Sequence, residues 1–254
     1  MTEAMSYVSG ISATPLLGKT IGQALDEAAA AWGDRPALID RGTGTRWTWR
    51  QLRDEAESFA AGLLALGLKP GERIGIWSLN RAEWALTQFA AAKAGLILVT
   101  INPAYRLTEL EYALNLVGCA AIVTATQFKT SDYIGMLNTL VPELSTAKPG
   151  ALNSAKLPNL RILIQIAGSA PGTIAFTDVA KRGGDIQRAE LRRLAESQQF
   201  DDPINIQFTS GTTGNPKGVT LTHHNILNNG YFVGRGCAPA TASASGRSIA
   251  PNGR

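Results

Sequence analysis

Cysteine and histidine are scarce in this sequence, and their scarcity excludes several classes of site. The two cysteines, Cys119 and Cys237, lie far apart and form no Cys-x-x-Cys pair. They therefore support neither a disulfide framework nor a zinc site. The two histidines, His223 and His224, are adjacent, so their side chains point in different directions on a helix and we expect no shared metal. We expect both to be polar residues on a helix surface.

Long apolar runs and a targeting signal are also missing. The N-terminus has no basic region followed by an apolar run, so the sequence predicts no secretory signal. The most apolar stretch, Phe89 to Val99, is interrupted by Lys93 and Gly95 and is too short to span a bilayer. We therefore expect a cytoplasmic protein with no integral membrane segment.

The charge of the chain is modest and scattered. The net charge is +4 and the isoelectric point about 9.2, which suits anionic nucleotides or CoA without requiring them. Lysine and arginine form no stripe, so nucleic acid is not an expected partner. With 254 residues and 44% hydrophobic content, the chain can bury a sizeable core in one or two domains, and it has no internal repeats.

Two familiar phosphate loops are absent. A Walker A loop needs a second glycine where this chain has Pro216, counting from Gly211, and Ser or Thr where it has Gly218. The Gly-x-Gly-x-x-Gly dinucleotide pattern is also missing from this loop. These absences argue against a standard P-loop NTPase and a Rossmann dehydrogenase.

A different loop, rich in glycine and hydroxyl groups, follows the predicted strand Ile204–Phe208 and precedes a predicted helix with Thr222 as N-cap. Its residues are Thr209, Ser210, Gly211, Thr212, Thr213, Gly214, Asn215, Pro216, Lys217 and Gly218. Glycines let backbone N–H groups approach an anion, hydroxyls donate hydrogen bonds or bind phosphate-bound Mg²⁺, and Lys217 adds a full charge. The loop therefore predicts a polyphosphate site; a flexible polar surface loop is the alternative.

The rest of the chain alternates between strand and helix patterns, which predicts an α/β fold with a mostly parallel sheet and helices on both faces. Capping boxes predict helices after Thr20 and Thr48, with the first over Ile21–Trp32, and further helix starts at Asn80 and Thr108. Other predicted elements are a hairpin around Arg41–Gly44, strands at 73–78, 96–101, 121–124 and 160–166, and helices at 132–140, 176–181 and 189–196.

The loop from Thr209 to Gly218 resembles the phosphate-loop signature of the adenylate-forming superfamily at every fixed position, with Asn215 at a free one. The stretch Ala92–Arg106 resembles the second signature of this superfamily. The stretch Arg106–Leu114 is similar to the branch of acyl-CoA synthetases that activates fatty and other carboxylic acids. The resemblance covers roughly residues 16–236. It implies the N-terminal portion of the acyl-CoA synthetase-like large domain.

What the resemblance implies about function is ATP-dependent activation of a carboxylic acid, typically a fatty acid, to an acyl-adenylate and then to acyl-CoA. ATP, Mg²⁺ and coenzyme A are the implied cofactors and co-substrates, and the ten loop residues are the implied ATP-binding site. The family's Mg²⁺-binding glutamate, ribose-binding aspartate and adenylation lysine lie beyond this chain, so no catalytic residue and no metal ligand is assigned. The alternative is a non-catalytic fragment that binds nucleotide or needs a second chain.

The C-terminal residues 237–254 differ from the rest. They are rich in alanine, serine, glycine and proline, and Ile249 is their only large aliphatic residue. Such a segment buries too little apolar area to offset its chain entropy. We therefore expect residues 1–236 to be the N-terminal part of an AMP-binding domain, and 237–254 to be a disordered, non-native tail from a truncated or frame-shifted reading. A native disordered tail is the alternative.

Overall fold

The computed structural model describes residues 14–209 and 216–236. The described strands are β1 (Pro36–Ile39), β2 (Arg46–Thr48), β3 (Arg73–Trp77), β4 (Ile97–Thr100), β5 (Cys119–Thr124), β6 (Gln127–Phe128), β7 (Ser131–Asp132), β8 (Ile162–Gln165), β9 (Ile174–Ala175), β10 (Pro203–Thr209) and β11 (Lys217–Thr222). The α-helices are α1 (Ile21–Trp32), α2 (Trp49–Ala65), α3 (Ala82–Lys93), α4 (Leu107–Leu116), α5 (Tyr133–Leu140), α6 (Phe176–Val179), α7 (Asp185–Ser197) and α8 (His223–Gly236).

The main sheet has seven strands in the order β11-β10-β4-β3-β5-β8-β9. Every neighbouring pair is parallel except β10 and β11, which form an antiparallel hairpin at one edge. The predicted α/β fold with a mostly parallel sheet is therefore confirmed. The predicted hairpin around Arg41–Gly44 is also present, as β1 and β2.

The sheet separates two hydrophobic cores. Successive side chains of a strand point to opposite faces, so Ile74 and Ile76 of β3 enter one core and Trp77 enters the other. Helices α1, α2, α3, α6 and α7 contribute to the first core, and α4 and α5 to the second. Both faces are covered, as predicted. No helix in the described ranges is long and apolar enough to cross a bilayer.

Local sequence signals correctly predict the first two helix starts. The Thr20 hydroxyl accepts the Gln23 N–H at 3.1 Å, and the Gln23 side chain accepts the Thr20 N–H at 2.9 Å. Thr48 and Gln51 form the same reciprocal pair at the start of α2. Each capping box satisfies two backbone donors that the helix itself leaves unpaired.

The predicted starts at Asn80 and Thr108 are wrong. Helix α3 begins at Ala82, whose N–H donates to the Asp40 carboxylate at 3.1 Å, while Glu83 pairs with Arg81. Helix α4 begins at Leu107, one residue before Thr108. The cap of α3 thus comes from a residue 42 positions away, which no local pattern contains.

Two further elements differ from the prediction. The residues after the glycine-rich loop form strand β11 before α8 begins, and the sequence analysis assigned no strand there. Thr222 is nevertheless a helix cap, since its hydroxyl accepts the Asn225 N–H at 3.2 Å. Helix α7 is longer than its predicted range 189–196 because it starts at Asp185.

We expect the two threonines to respond differently to alanine. Thr20→Ala should lower the free energy of unfolding by about 1 kcal/mol, because it removes a helix cap. Thr108→Ala should change it little, because Thr108 is exposed and already inside α4. Urea denaturation of both variants checks this, and equal losses would contradict the assigned helix start.

Candidate functional site

The candidate site is a cleft at the carboxyl edge of the parallel strands. Strands β3, β4 and β10 run in the same direction, so the residues that end or follow them meet at one edge of the sheet. A cleft of about 480 Å³ opens there. Crevices at this edge are the usual ligand sites of open α/β sheets.

The lining of this cleft combines polar groups and aromatic rings. Its hydroxyl and amide side chains come from Ser78, Asn80, Thr100, Asn102 and Thr209. Its rings are Trp84, Tyr105 and Phe208, and Ile101, Pro103 and Pro216 complete the wall. None of these lining residues is Asp, Glu, His, Lys or Cys. The described wall can therefore bind and orient a ligand, but it offers no general acid or base that titrates near neutral pH.

Four of the ten predicted loop residues lie in the described ranges. Thr209 ends β10 and Lys217 begins β11, and the two are directly paired across the hairpin, as are Phe208 and Gly218. Thr209 and Pro216 both line the cleft. The first and last parts of the motif are thus held together at the cleft mouth, while residues 210–215 lie outside the described residues.

Lys217 and Gly218 occupy strand positions with different surroundings. Lys217 is exposed and forms no ion pair with any described residue. A Cβ atom at Gly218 would lie 3.1 Å from Cγ2 of Ile206, a tighter approach than most real Cβ contacts. Close packing on the neighbouring strand therefore accounts for glycine at 218, whereas Lys217 is available to an anion at the hairpin end.

The histidine beside the hairpin is buried, which corrects the expectation of a surface residue. His223 is 1% exposed, and its Nδ1 accepts the N–H of Ile21 at 3.1 Å. Burial lowers the pKa of His223 from 6.5 to about 4, with the Asp202 charge acting in the opposite direction. The imidazole is therefore neutral near pH 7 and serves as a backbone acceptor.

A second buried residue of α8 strengthens this attachment. The amide of Asn228 accepts the Leu17 N–H at 2.7 Å and donates to the Leu17 carbonyl at 3.1 Å. Together with His223, it joins the helix that follows the hairpin to the start of α1 and to the segment before it. The position of β11 is thus supported along its length by β10 and at its C-terminal end by α8.

Other reactive side chains are unsuited to chemistry here. Cys119 is fully buried, and burial raises the pKa of its thiol to about 12, so it is not a nucleophile at neutral pH. Within residues 14–209 and 216–236, no group of three His, Cys, Asp or Glu side chains could hold a metal ion. Cys237 lies outside these ranges.

Sequence reasoning missed most of the cleft wall. Ser78 ends a predicted strand, Asn80 and Asn102 follow predicted strands, and Trp84 lies in the first turn of the next helix. Their position after parallel strands was a usable signal, because the carboxyl ends of such strands converge. What the sequence could not show is that β10, more than a hundred positions later, would pair with β4 and bring Thr209 beside Asn102.

Solved structures share the fold of this chain. The apo structure of MbtA from Mycobacterium smegmatis matches 87% of this chain and 37% of its own, with a TM-score of 0.69 and 24% identity. The anthranilate CoA ligase AuaEII in complex with anthranoyl-AMP matches 83% of this chain and 36% of its own, with a TM-score of 0.67 and 23% identity. The fold is that of the N-terminal domains of adenylate-forming ligases.

The chain belongs to the AMP-binding enzyme family, whose model matches residues 25–247. It is 47% identical over 233 residues to the mitochondrial medium-chain acyl-CoA ligase ACSF2 of Danio rerio. That alignment covers 92% of this chain but 38% of the relative, so the chain spans well under half the length of this relative. The resemblance to acyl-CoA synthetases drawn from the sequence is confirmed, while the predicted boundary at residue 237 stays a prediction.

Proposed function

We propose that this chain carries the ATP-phosphate site of an acyl-CoA ligase. In this proposal, residues 209–218 hold the β- and γ-phosphates of ATP, and the acid becomes an acyl-adenylate and then a CoA thioester. The observation that carries it is the pairing of Thr209, which lines the cleft, with Lys217 on the neighbouring strand. This pairing places a lysine that forms no ion pair with any described residue next to a hydroxyl of the cleft wall.

The described residues suit binding and charge stabilisation. Lys217 would attract the outer phosphates and stabilise the negative charge that moves onto the departing pyrophosphate. Hydroxyl and amide groups of the cleft would orient the ligand, and positioning of this kind supplies much of the rate in phosphoryl and adenylyl chemistry. The rings of Trp84, Tyr105 and Phe208 offer contact area for an apolar or flat part of a substrate.

The support for the substrates differs from the support for Mg²⁺. ATP, a carboxylic acid and CoA fit the family, and a fatty acid is the proposed acid because the zebrafish relative is named a medium-chain acyl-CoA ligase. Mg²⁺ is implied only by resemblance, since the described cleft wall contains no carboxylate to bind it.

A second candidate function is a non-catalytic one. In this alternative the chain, which spans 38% of the zebrafish relative, binds nucleotide only or needs a second chain for turnover. A cytoplasmic location is part of the proposal, although that relative is named mitochondrial. Cell fractionation of the expressed protein distinguishes the two compartments. We propose no nucleic-acid partner and assign no oligomeric state.

The proposal predicts a selective loss of ATP affinity in Lys217→Ala. One charge-assisted contact contributes about 1.5–3 kcal/mol, so the dissociation constant for ATP should rise roughly ten- to a hundredfold. The constant for AMP should change much less, because AMP lacks the outer phosphates. Isothermal titration calorimetry with ATP and AMP measures both.

The matched control is Lys148→Ala, which removes another exposed lysine with no ion pair among the described residues. It should leave both constants unchanged while lowering the net charge by the same amount. Equal weakening of ATP and AMP in Lys217→Ala, or an equal effect of Lys148→Ala, would refute the assignment of Lys217 to the outer phosphates.

A further inference from the structure

Two fully buried aromatic side chains hold one turn of the cleft wall. Trp77 at the end of β3 and Tyr133 at the start of α5 are 0% exposed. Their rings stack with 3.6 Å between the ring centroids and an angle of 9° between the ring planes. Trp77 Nε1–H donates to the Asn102 carbonyl at 3.2 Å, and the Tyr133 hydroxyl donates to the Pro103 carbonyl at 2.5 Å. Burial raises the pKa of Tyr133 to about 12, so its hydroxyl keeps the proton that it donates.

The turn that these donors hold runs from Asn102 to Tyr105 and is closed by its own hydrogen bonds. The Tyr105 N–H donates to the Asn102 carbonyl at 3.0 Å, and the Ala104 N–H donates to the Asn102 side chain at 2.9 Å. Asn102 and Ala104 are exposed, so the turn lies at the surface and is fixed from beneath by the two aromatic donors. The direction of the Tyr105 side chain depends on this arrangement.

Tyr105 supports the strand that leads into the glycine-rich loop. Strand β10 pairs with β4 up to Gln207, opposite Thr100, which is the last residue of β4. Phe208 and Thr209 extend past this pairing. On the β4 side, the ring of Tyr105 meets the ring of Phe208 edge to face, with 6.4 Å between centroids and an angle of 64°. The turn therefore continues the support that β4 no longer provides.

We propose that Trp77 and Tyr133 are positioning residues, which fix the Asn102–Tyr105 turn and, through Tyr105 and Phe208, the start of the phosphate loop. Buried Trp and Tyr side chains usually bond their polar atoms to some partner. What is specific here is that both polar atoms bond to adjacent carbonyls of the same turn. The effect on ATP rests on the proposed function, whereas the structural coupling can be measured without any ligand.

The ligand-free test uses Tyr133→Phe in the full chain, since phenylalanine keeps the ring stack and removes only the hydroxyl. Amide hydrogen exchange should become roughly three- to tenfold faster in peptides covering residues 100–109 and 203–209, a factor that matches the net contribution of one hydrogen bond. Peptides of α2 should exchange as in the wild type. Tyr112→Phe is the control, because the Tyr112 hydroxyl has no hydrogen bond to the described part of the chain.

Two results would overturn the proposal. Faster exchange at 100–109 with unchanged exchange at 203–209 would show that the turn is not coupled to β10. Faster exchange throughout the chain would show that Tyr133 stabilises the whole protein and has no specific effect on the turn. Tyr105→Ala tests the link without disturbing the buried pair. It should accelerate exchange at 203–209, and Tyr105→Phe should do so less, because the contact with Phe208 requires only the ring.

Calorimetry with ATP then tests the functional consequence. Tyr133→Phe and Tyr105→Ala should each raise the dissociation constant for ATP several-fold, with a smaller rise for Tyr105→Phe. If the wild-type chain binds no ATP, the proposed function fails, and hydrogen exchange still decides whether the turn is coupled to β10. If the wild type binds ATP and these variants bind it equally well, the positioning role is refuted.

Discussion

Purified as 254 residues, the chain is expected to release no pyrophosphate above background when given ATP and carboxylic acids of short to long chain length. Its described cleft wall can bind and orient a ligand but contains no acid, base or carboxylate. A site that contacts only part of ATP must also pay the full cost of ordering it. Exclusion of water from the acid would require further elements that close over the cleft.

The matched comparison is a chimera in which the part of the zebrafish relative that follows the aligned region is joined after residue 236. We expect this chimera to turn over, since the chain aligns with that relative over 92% of its own length. Lys217→Ala in the chimera should reduce the rate, which would show that the activity uses this loop. Turnover by the 254-residue chain alone would contradict the prediction, and an inactive but folded chimera would count against the ligase proposal.

Acid is expected to destabilise the protein through His223. The unfolded chain has a histidine pKa near 6.5 and the folded chain about 4, so the unfolded state binds more protons between these values. Stability from this group is therefore fully present above pH 6.5 and is lost as the pH falls towards 4. The shift corresponds to roughly 3 kcal/mol as an upper figure.

His223→Asn isolates this contribution. The asparagine oxygen can take the place of Nδ1 as acceptor for the Ile21 N–H, and it does not titrate in this range. Urea denaturation from pH 4 to 7.5 should show a steeper acid loss in the wild type than in the variant. His224→Asn serves as the control and should retain the wild-type slope. Parallel pH profiles for the wild type and His223→Asn would contradict the assignment.

How much of this fold the sequence predicts depends on whether the relevant signals are local. Thr20 and Gln23 lie three residues apart and correctly predict the start of α1. The cap of α3 comes from Asp40 in a distant loop, so the predicted start at Asn80 fails. The sequence predicts a helix-surface position for His223. In the structure it is buried and bonds to Ile21, 202 positions earlier.

The site follows the same rule. The ten-residue signature indicates the loop, and the structure adds that Thr209 and Lys217 are strand partners beside a cleft. Trp77 and Tyr133 bond the carbonyls of Asn102 and Pro103 in the cleft wall, and no local sequence pattern indicates this. The two rings stack between two elements whose approach depends on the whole sheet.

The contacts between α8 and the start of the chain have a consequence for protein synthesis. Leu17 and Ile21 are synthesised before their partners Asn228 and His223, which follow 211 and 202 positions later. At roughly 5–20 residues per second, the early segment waits on the order of 10 to 40 seconds for these partners. During that interval the N-terminal segment is accessible to chaperones and proteases, so a ribosome that pauses before codon 223 would leave it exposed for longer.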